Sequence, residues 1–258
     1  MKILKPYAFL ILAAFIYHLG HPNHLGILIP FSSIIGTCIL LFHIFKAKGF
    51  WQRTKYLLSF NLVITALSFS WIAKTLQEFG SLPMPVAALA NTFFALIFQP
   101  HYWFLIIALS LISKYKKELT KFYFEHAIFS IILAGFMTFI EYFLPQQFPV
   151  LLGQPWIVLS DFLGFAPILG LPAFSFFSYL LAIEVIRVSK YQTYSKSNFI
   201  ICLLFIVLNP IIACFNLKVP EATKSSPSFN LRFVQANISN FLKVDSESGT
   251  YASVSMVL

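Results

Sequence analysis

The sequence predicts an all-α polytopic membrane bundle of about seven transmembrane helices, followed by the incomplete start of a soluble α/β domain. Three observations predict it. The 258 residues are 59% hydrophobic, 18% aromatic and only 10% charged, against roughly 45–50% apolar and 25% charged in a soluble globular domain. The apolar residues fall into runs near the roughly 20 residues that a helix needs to cross a bilayer. Lys and Arg between those runs alternate in density from one connection to the next, as topology signals do.

Seven candidate spans follow, at 3–19, 25–45, 56–75, 85–113, 122–143, 162–186 and 199–217. The first begins after Lys2 and Lys5 and ends at His18-Leu-Gly-His21-Pro22-Asn23-His24. No small-x-small cleavage site follows it, so it reads as a retained span rather than a signal peptide. The fourth is long for one crossing and contains Gln99-Pro100-His101, where proline removes a backbone donor and kinks a helix. Between the fifth and sixth lies Pro145-Gln-Gln-Phe-Pro149-Val-Leu-Leu-Gly153-Gln-Pro155-Trp156. It is apolar but too rich in proline and glycine for a helix, and suits an outer interface or a segment covered by protein.

Positive charge fixes the orientation. Lys2 and Lys5, Lys46 to Lys55, Lys114 to Lys121 and Arg187 to Lys196 fall on one side, against only Lys74 in the connections on the other. The N-terminus is therefore expected in the cytoplasm and the tail outside. The net charge of +9 is scattered between apolar runs and forms no basic face, which argues against a nucleic-acid partner. Residues 1–217 thus read as a transmembrane domain and 218–229 as a polar linker. Residues 230–258 read as the truncated start of a further domain, with a strand over 230–237 and a possible helix from Ser246.

Few residues carry chemistry on their own. Glu184 lies three positions before Arg187, the spacing of a helical ion pair. Lys74 and Glu78, beside Trp71, read as an interface anchor. Glu141 and Asp161 flank the proline-rich segment, where they suit capping or positioning better than paired acid–base work. Pro22 breaks the helix that would align His18, His21 and His24 on a metal. Cys38, Cys202 and Cys214 lie in apolar runs without metal-ligand or disulfide spacing. No metal site and no cofactor is expected.

Three patterns resemble the bacterial apolipoprotein N-acyltransferases. Trp71-Ile-Ala-Lys-Thr-Leu-Gln-Glu-Phe79-Gly80-Ser-Leu-Pro83-Met-Pro85 is similar to the Trp, Phe-Gly, Pro-x-Pro pattern after that family's third span. Glu141-Tyr-Phe-Leu, Phe148-Pro149, Gly153, Gly164-Phe-Ala166-Pro167-Ile-Leu-Gly170 and Phe174-Ser175-Phe176 resemble its next signature. Phe233-Val234-Gln235-Ala236-Asn237-Ile238 and Lys243-Val244-Asp245 resemble the opening of its nitrilase-like (αββα) domain. The chain departs from the family pattern at Val150 and Val244, where Trp is common, and lacks an Arg beside Glu141.

The resemblance implies a multi-pass protein of the bacterial inner membrane whose tail is periplasmic. Its partners would be membrane lipids, a phospholipid acyl donor and the diacylglyceryl-cysteine of an apolipoprotein. Trp71, Glu141, Gln235 and Asn237 would be substrate-binding. The family's Glu-Lys-Cys triad, in which the thiolate attacks the ester and the resulting thioester acylates the amine, would lie beyond Leu258, so no catalytic residue is expected here. This chain would then be inactive alone. Two other classes stay open on the residues: a non-enzymatic membrane scaffold or partner of a separate catalytic half, and a transporter, for which no repeat and no midplane charge pair is visible.

Overall fold

A computed structural model describes residues 4–115, 126–144 and 150–216, apart from positions 22, 24 and 194, together with Gln146. The linker, the expected strand at 230–237 and the helix from Ser246 lie outside the described residues. Those described are mostly helical and contain no strand. In order come α1 (Leu4–His18), α2 (Ser32–Lys46), α3 (Phe50–Ser68), α4 (Ser70–Gly80), α5 (Met84–Ile97), α6 (Pro100–Tyr115) and α7 (Ala127–Phe143). A 3-10 helix (Gln154–Phe162), α8 (Ala166–Ile186), a π-helical turn (Arg187–Tyr191) and α9 (Lys196–Asn216) follow.

Two stretches among the described residues are single helices long and apolar enough to cross a membrane, Ala166–Tyr191 and Lys196–Phe215. Two bent helix pairs, α3 with α4 and α5 with α6, would raise that to four if each counts as one span. The expected span at 56–75 is divided at Phe69, whose φ of −121° and ψ of 15° leave the helical region. The expected span at 85–113 is divided at Phe98 and Gln99. Here proline does more than kink: Gln99 takes a φ of 53° and Pro100 opens a new helix, where its missing N–H costs nothing.

The chain divides into two compact units, one comprising Met1–Ser68 and Thr92–Lys218 and the other containing Phe69–Asn91. Within the second, α4 is strongly amphipathic, the form of a helix lying along an interface. It ends at Ser81, whose φ of 50° makes a left-handed cap and whose N–H bonds to Leu76 O.

Within the first unit, α1 packs on α2 and α3, α3 on α6, α6 on α7, α7 on α8, and α8 on α2 and α9. With α2 also packed on α3, the helices α2, α3, α6, α7 and α8 close a ring. Its interior mixes polar side chains with apolar ones, and its exterior carries large apolar residues. Thr37, Asn61, Ser130, Ser175, Ser178 and Glu184 are buried, while Phe9, Ile132, Phe139, Leu203, Ile206 and Phe215 are exposed. Polar side chains kept inside and apolar ones outside suit a hydrocarbon solvent.

Asn61 shows why the break before α6 is tolerated. Its side-chain amide donates to Ala95 O at 3.1 Å and Phe98 O at 3.0 Å, carbonyls that lose helical donors where α5 stops. In the α1–α2 connection Asn23 does similar work: its amide donates to His21 O at 2.9 Å and Ile27 O at 2.6 Å, and its oxygen accepts from Leu25 N at 3.0 Å. Of the three histidines separated by Pro22, His18 and His21 are buried, and His24 lies outside the described residues. No metal-binding cluster forms among the described residues.

Candidate functional site

The residues that the ring brings together centre on Glu141, near the C-terminal end of α7. A carboxyl group this deep needs several donors, since each unsatisfied lone pair in a low-dielectric interior costs free energy. Glu141 is 2% exposed, and its Oε1 accepts from Leu152 N at 2.8 Å and from the Tyr179 hydroxyl at 2.9 Å. The Ser175 hydroxyl also bonds to the carboxyl group. The Glu141 carbonyl accepts from Gln146 Nε2 at 2.6 Å. One side chain therefore ties α7, the segment after it and α8 into a single junction.

Tyr179 extends the network. Its hydroxyl proton goes to Glu141, so its oxygen accepts from His101 Nε2 at 3.0 Å. That fixes the Nε2–H tautomer of His101. His101 Nδ1 then has no partner among the described residues. Beside it Tyr102 meets Thr37 at 3.4 Å, and Gln99 Nε2 donates to Tyr17 OH at 2.8 Å. A line of buried polar groups thus runs from Glu141 through α8 to α6, with α1 and α2 contributing its far end.

The segment after Leu151 is seated by hydrogen bonds to two serines of α8. Gly153 N donates to Ser175 Oγ at 2.8 Å, and Trp156 Nε1 donates to Ser178 Oγ at 2.9 Å. Of the proline- and glycine-rich stretch expected to be non-helical, residues 150–153 are irregular, and its last three residues open the 3-10 helix that contains Trp156. Trp156 packs with Ile34, Leu163, Phe174 and Phe205 in one apolar cluster. Gly164 lies against α9, where a Cβ would come within 2.3 Å of Ala213 N and 2.6 Å of Asn209 O. Its own N–H donates to Asn209 O at 3.1 Å, and Phe165 N donates to Asn209 Oδ1 at 3.2 Å. Gly170, at φ 66° and ψ −178°, breaks the first turns of α8 so that Pro172 falls near the start of the long helix that follows.

A second polar cluster lies at the other end of α8. Arg187 Nη1 donates to Glu184 Oε1 at 2.7 Å, the pair expected from their spacing, and both side chains are buried by protein. Asn198 Nδ2 also reaches Glu184 Oε1, at 2.6 Å, and bonds to Ala127 O at 3.0 Å. Asn198, on α9, therefore joins Glu184 of α8 to the start of α7.

Of the expected substrate-binding residues, Glu141 is buried in the junction just described. Trp71 is 47% exposed on α4 in the second unit. Gln235 and Asn237 lie outside the described residues. Asp161 is exposed on the 3-10 helix, in contrast to Glu141. Sequence reasoning missed Tyr179, Ser175 and His101 as partners of Glu141. The available signal was the i, i+4 spacing of Ser175 and Tyr179, which places both on one face of α8.

The hydroxyls of Ser175 and Tyr179 are committed to hydrogen bonds with Gly153 N, Glu141 and His101, so the cluster ties α6, α7 and α8 together and can relay hydrogen bonds. No protein-family model matches this chain, and no curated protein matches its sequence.

Proposed function

We propose that this chain is the membrane portion of an apolipoprotein N-acyltransferase. It would have about seven spans, its N-terminus in the cytoplasm, and a tail on the periplasmic side of a bacterial inner membrane that opens a nitrilase-like domain. Its role would be to seat that domain at the outer leaflet and admit lipid tails between its helices. The phospholipid acyl donor and the diacylglyceryl-cysteine acceptor would be handled with a downstream Glu-Lys-Cys triad. Trp71, Glu141, Gln235 and Asn237 are the proposed substrate-contacting or substrate-positioning residues.

One observation carries the reading. Three residues of the second resembling pattern, Glu141, Gly153 and Ser175, far apart in sequence, meet at one junction, where Glu141 binds Leu152 N and Ser175, and Ser175 receives Gly153 N–H. A motif whose separate residues share one hydrogen-bonded site is what a conserved platform beneath a second domain requires. In this role Glu141 is a positioning residue, since its acceptors are occupied by the protein's own donors.

The test is acyl transfer from phospholipid to a diacylglyceryl-cysteine peptide, measured in membranes containing the native protein, together with intact mass. The reading expects a nitrilase-like domain in the same polypeptide and an acyl thioester on one of its cysteines. It fails if neither the domain nor the thioester is found. A second reading, a non-enzymatic membrane partner, is favoured by the closure of the ring among α2, α3, α6, α7 and α8, all within the described residues. It expects a separately encoded catalytic subunit to co-purify.

A further inference from the structure

The lysine-bearing end of the first unit contains a cleft that the Glu141 junction does not use. It has a volume of about 730 Å³ and is lined by α1, α2, α3 and α8. Its lining divides by chemistry. Phe9, Phe42 and Val185 give an apolar wall, while Lys5, Lys46 and Lys48 give three ammonium groups. Phe9 is 53% and Val185 43% exposed, so the wall continues onto the surface that faces hydrocarbon.

Arg53 and Lys190, at the same end, have partners. Arg53 donates to Ile44 O at 3.3 Å, Ser110 Oγ at 2.9 Å and Ser113 Oγ at 3.4 Å. Lys190 Nζ donates to Phe45 O at 2.7 Å and Tyr191 OH at 2.8 Å. By contrast, none of the three cleft lysines pairs with a carboxylate among the described residues; Glu141 and Glu184 are held elsewhere. Lys46 Nζ lies 5.6 Å from the Phe42 ring centroid, directly where the cationic and apolar parts of the lining meet.

We propose that this cleft binds an anionic phospholipid of the adjacent leaflet. Lys5, Lys46 and Lys48 would hold the phosphate, and an acyl chain would lie along Phe9, Phe42 and Val185. Basic pockets between membrane helices recognise anionic headgroups by this combination, and the volume falls within the roughly 300–1,000 Å³ of small-molecule sites. A free phosphate would use the lysines and leave the apolar wall idle, which is why a lipid fits better. The site stands on the membrane reading alone and is independent of acyl transfer.

Native mass spectrometry of the intact protein in mild detergent tests it, with phosphatidylglycerol and phosphatidylcholine of identical chains as probes. Retention of phosphatidylglycerol is expected to exceed that of phosphatidylcholine at least about tenfold. K46Q with K48Q should reduce it roughly 25-fold, taking about fivefold per lysine. V185W, which fills the apolar wall without changing charge, should also abolish it, while K196Q, an exposed lysine outside the cleft, should not. Equal retention of the two lipids overturns the proposal. So does a V185W protein that retains phosphatidylglycerol like the wild type, or displacement of the lipid by glycerol 3-phosphate at equal concentration, which would mark a soluble-anion site.

Discussion

Replacing Gly164 with Ala isolates the contact that seats the segment before α8. The added Cβ would stand 2.3 Å from Ala213 N, 2.6 Å from Asn209 O and 2.6 Å from Ile212 C. All three are backbone atoms of α9, so no flexible side chain can give way. Restoring an ordinary contact of 3.4 Å requires the segment to lift by about 1 Å. That movement lengthens the bonds from Gly164 N and Phe165 N to Asn209, now 3.1 and 3.2 Å. Overpacking costs roughly 1–3 kcal/mol and two weakened hydrogen bonds about 1 kcal/mol each, for a total of about 3–5 kcal/mol. Gly135 in α7 is the control, because its Cβ would meet only Phe176 Cε2 at 4.0 Å. Alanine there should gain about 0.5–1 kcal/mol from helix propensity. At roughly 2–4 °C per kcal/mol for a chain of this size, thermal unfolding in detergent should separate the two variants by about 10 °C. If G164A melts with G135A or with the wild type, the close approach of residue 164 to α9 is wrong.

Three further perturbations address the polar groups. E141A leaves the buried Leu152 N–H and Tyr179 hydroxyl without their acceptor, at roughly 1–3 kcal/mol each, whereas E141Q keeps an acceptor oxygen and should cost about 1 kcal/mol. Limited proteolysis between residues 144 and 166 should therefore accelerate in E141A and not in E141Q; equal rates would refute the junction. R187Q strands Glu184 in a buried site and should cost about 3–5 kcal/mol, while the E184Q/R187Q double variant should recover part of that. A double-mutant cycle in thermal unfolding measures the coupling, and additive losses would mean that the pair contributes nothing. His21, in the α1–α2 connection, has its pKa lowered to about 3 by burial and, secondarily, by His18. The folded chain therefore keeps it neutral where the unfolded chain, near 6.5, takes up a proton. The stability it contributes is complete above about pH 6.5 and is lost as pH falls towards 3, reaching about 2 kcal/mol by pH 5. Between pH 7.5 and pH 5 the wild type should lose about 2 kcal/mol more stability than H21Q, as measured by melting; identical pH dependence in both would count against the burial of His21.

The helical, membrane-compatible character of this chain was legible because it rests on composition. Helix ends were less so. Apolar runs report how much chain prefers hydrocarbon, not where backbone hydrogen bonding stops, so the runs at 56–75 and 85–113 each conceal two helices. The break before Pro100 depends on Asn61, a residue some forty positions earlier that supplies donors to the carbonyls left open there. No local window contains both. The same holds for the α1–α2 connection, where three histidines and a proline suggest a wet loop. The Asn23 side chain instead folds the connection back on itself and leaves His21 buried against Tyr17, with ring centroids 4.8 Å apart.

The candidate site divides along the same line. Glu141 was visible as a carboxylate at the end of an apolar run, and its loop-positioning role as the better reading. Its partners were hidden by the very property that identifies the chain. In a helix that is apolar on nearly every side, as α8 is, hydrophobic periodicity marks no inward face. The informative positions are the polar exceptions: Ser175, Ser178, Tyr179 and Glu184 all project into the protein. Read that way, Ser175, Ser178 and Tyr179 mark one polar stripe on α8, with Glu184 on the opposite face, and a second helix with polar residues, His101 and Tyr102 on α6, is the natural counterpart of the first. Whether two stripes meet depends on the order of helices around the ring, which is set by packing across α2, α3 and α7 rather than by either helix alone. Polar residues inside a hydrocarbon-soluble bundle thus play the part that apolar residues play in a soluble core. They specify which helices are neighbours, because each unpaired group left facing lipid costs more than any single apolar contact returns. In this chain Glu141 makes the most demanding of those choices, and Tyr179, fixed between it and His101, is the residue whose loss should uncouple α6 from α7 and α8 together.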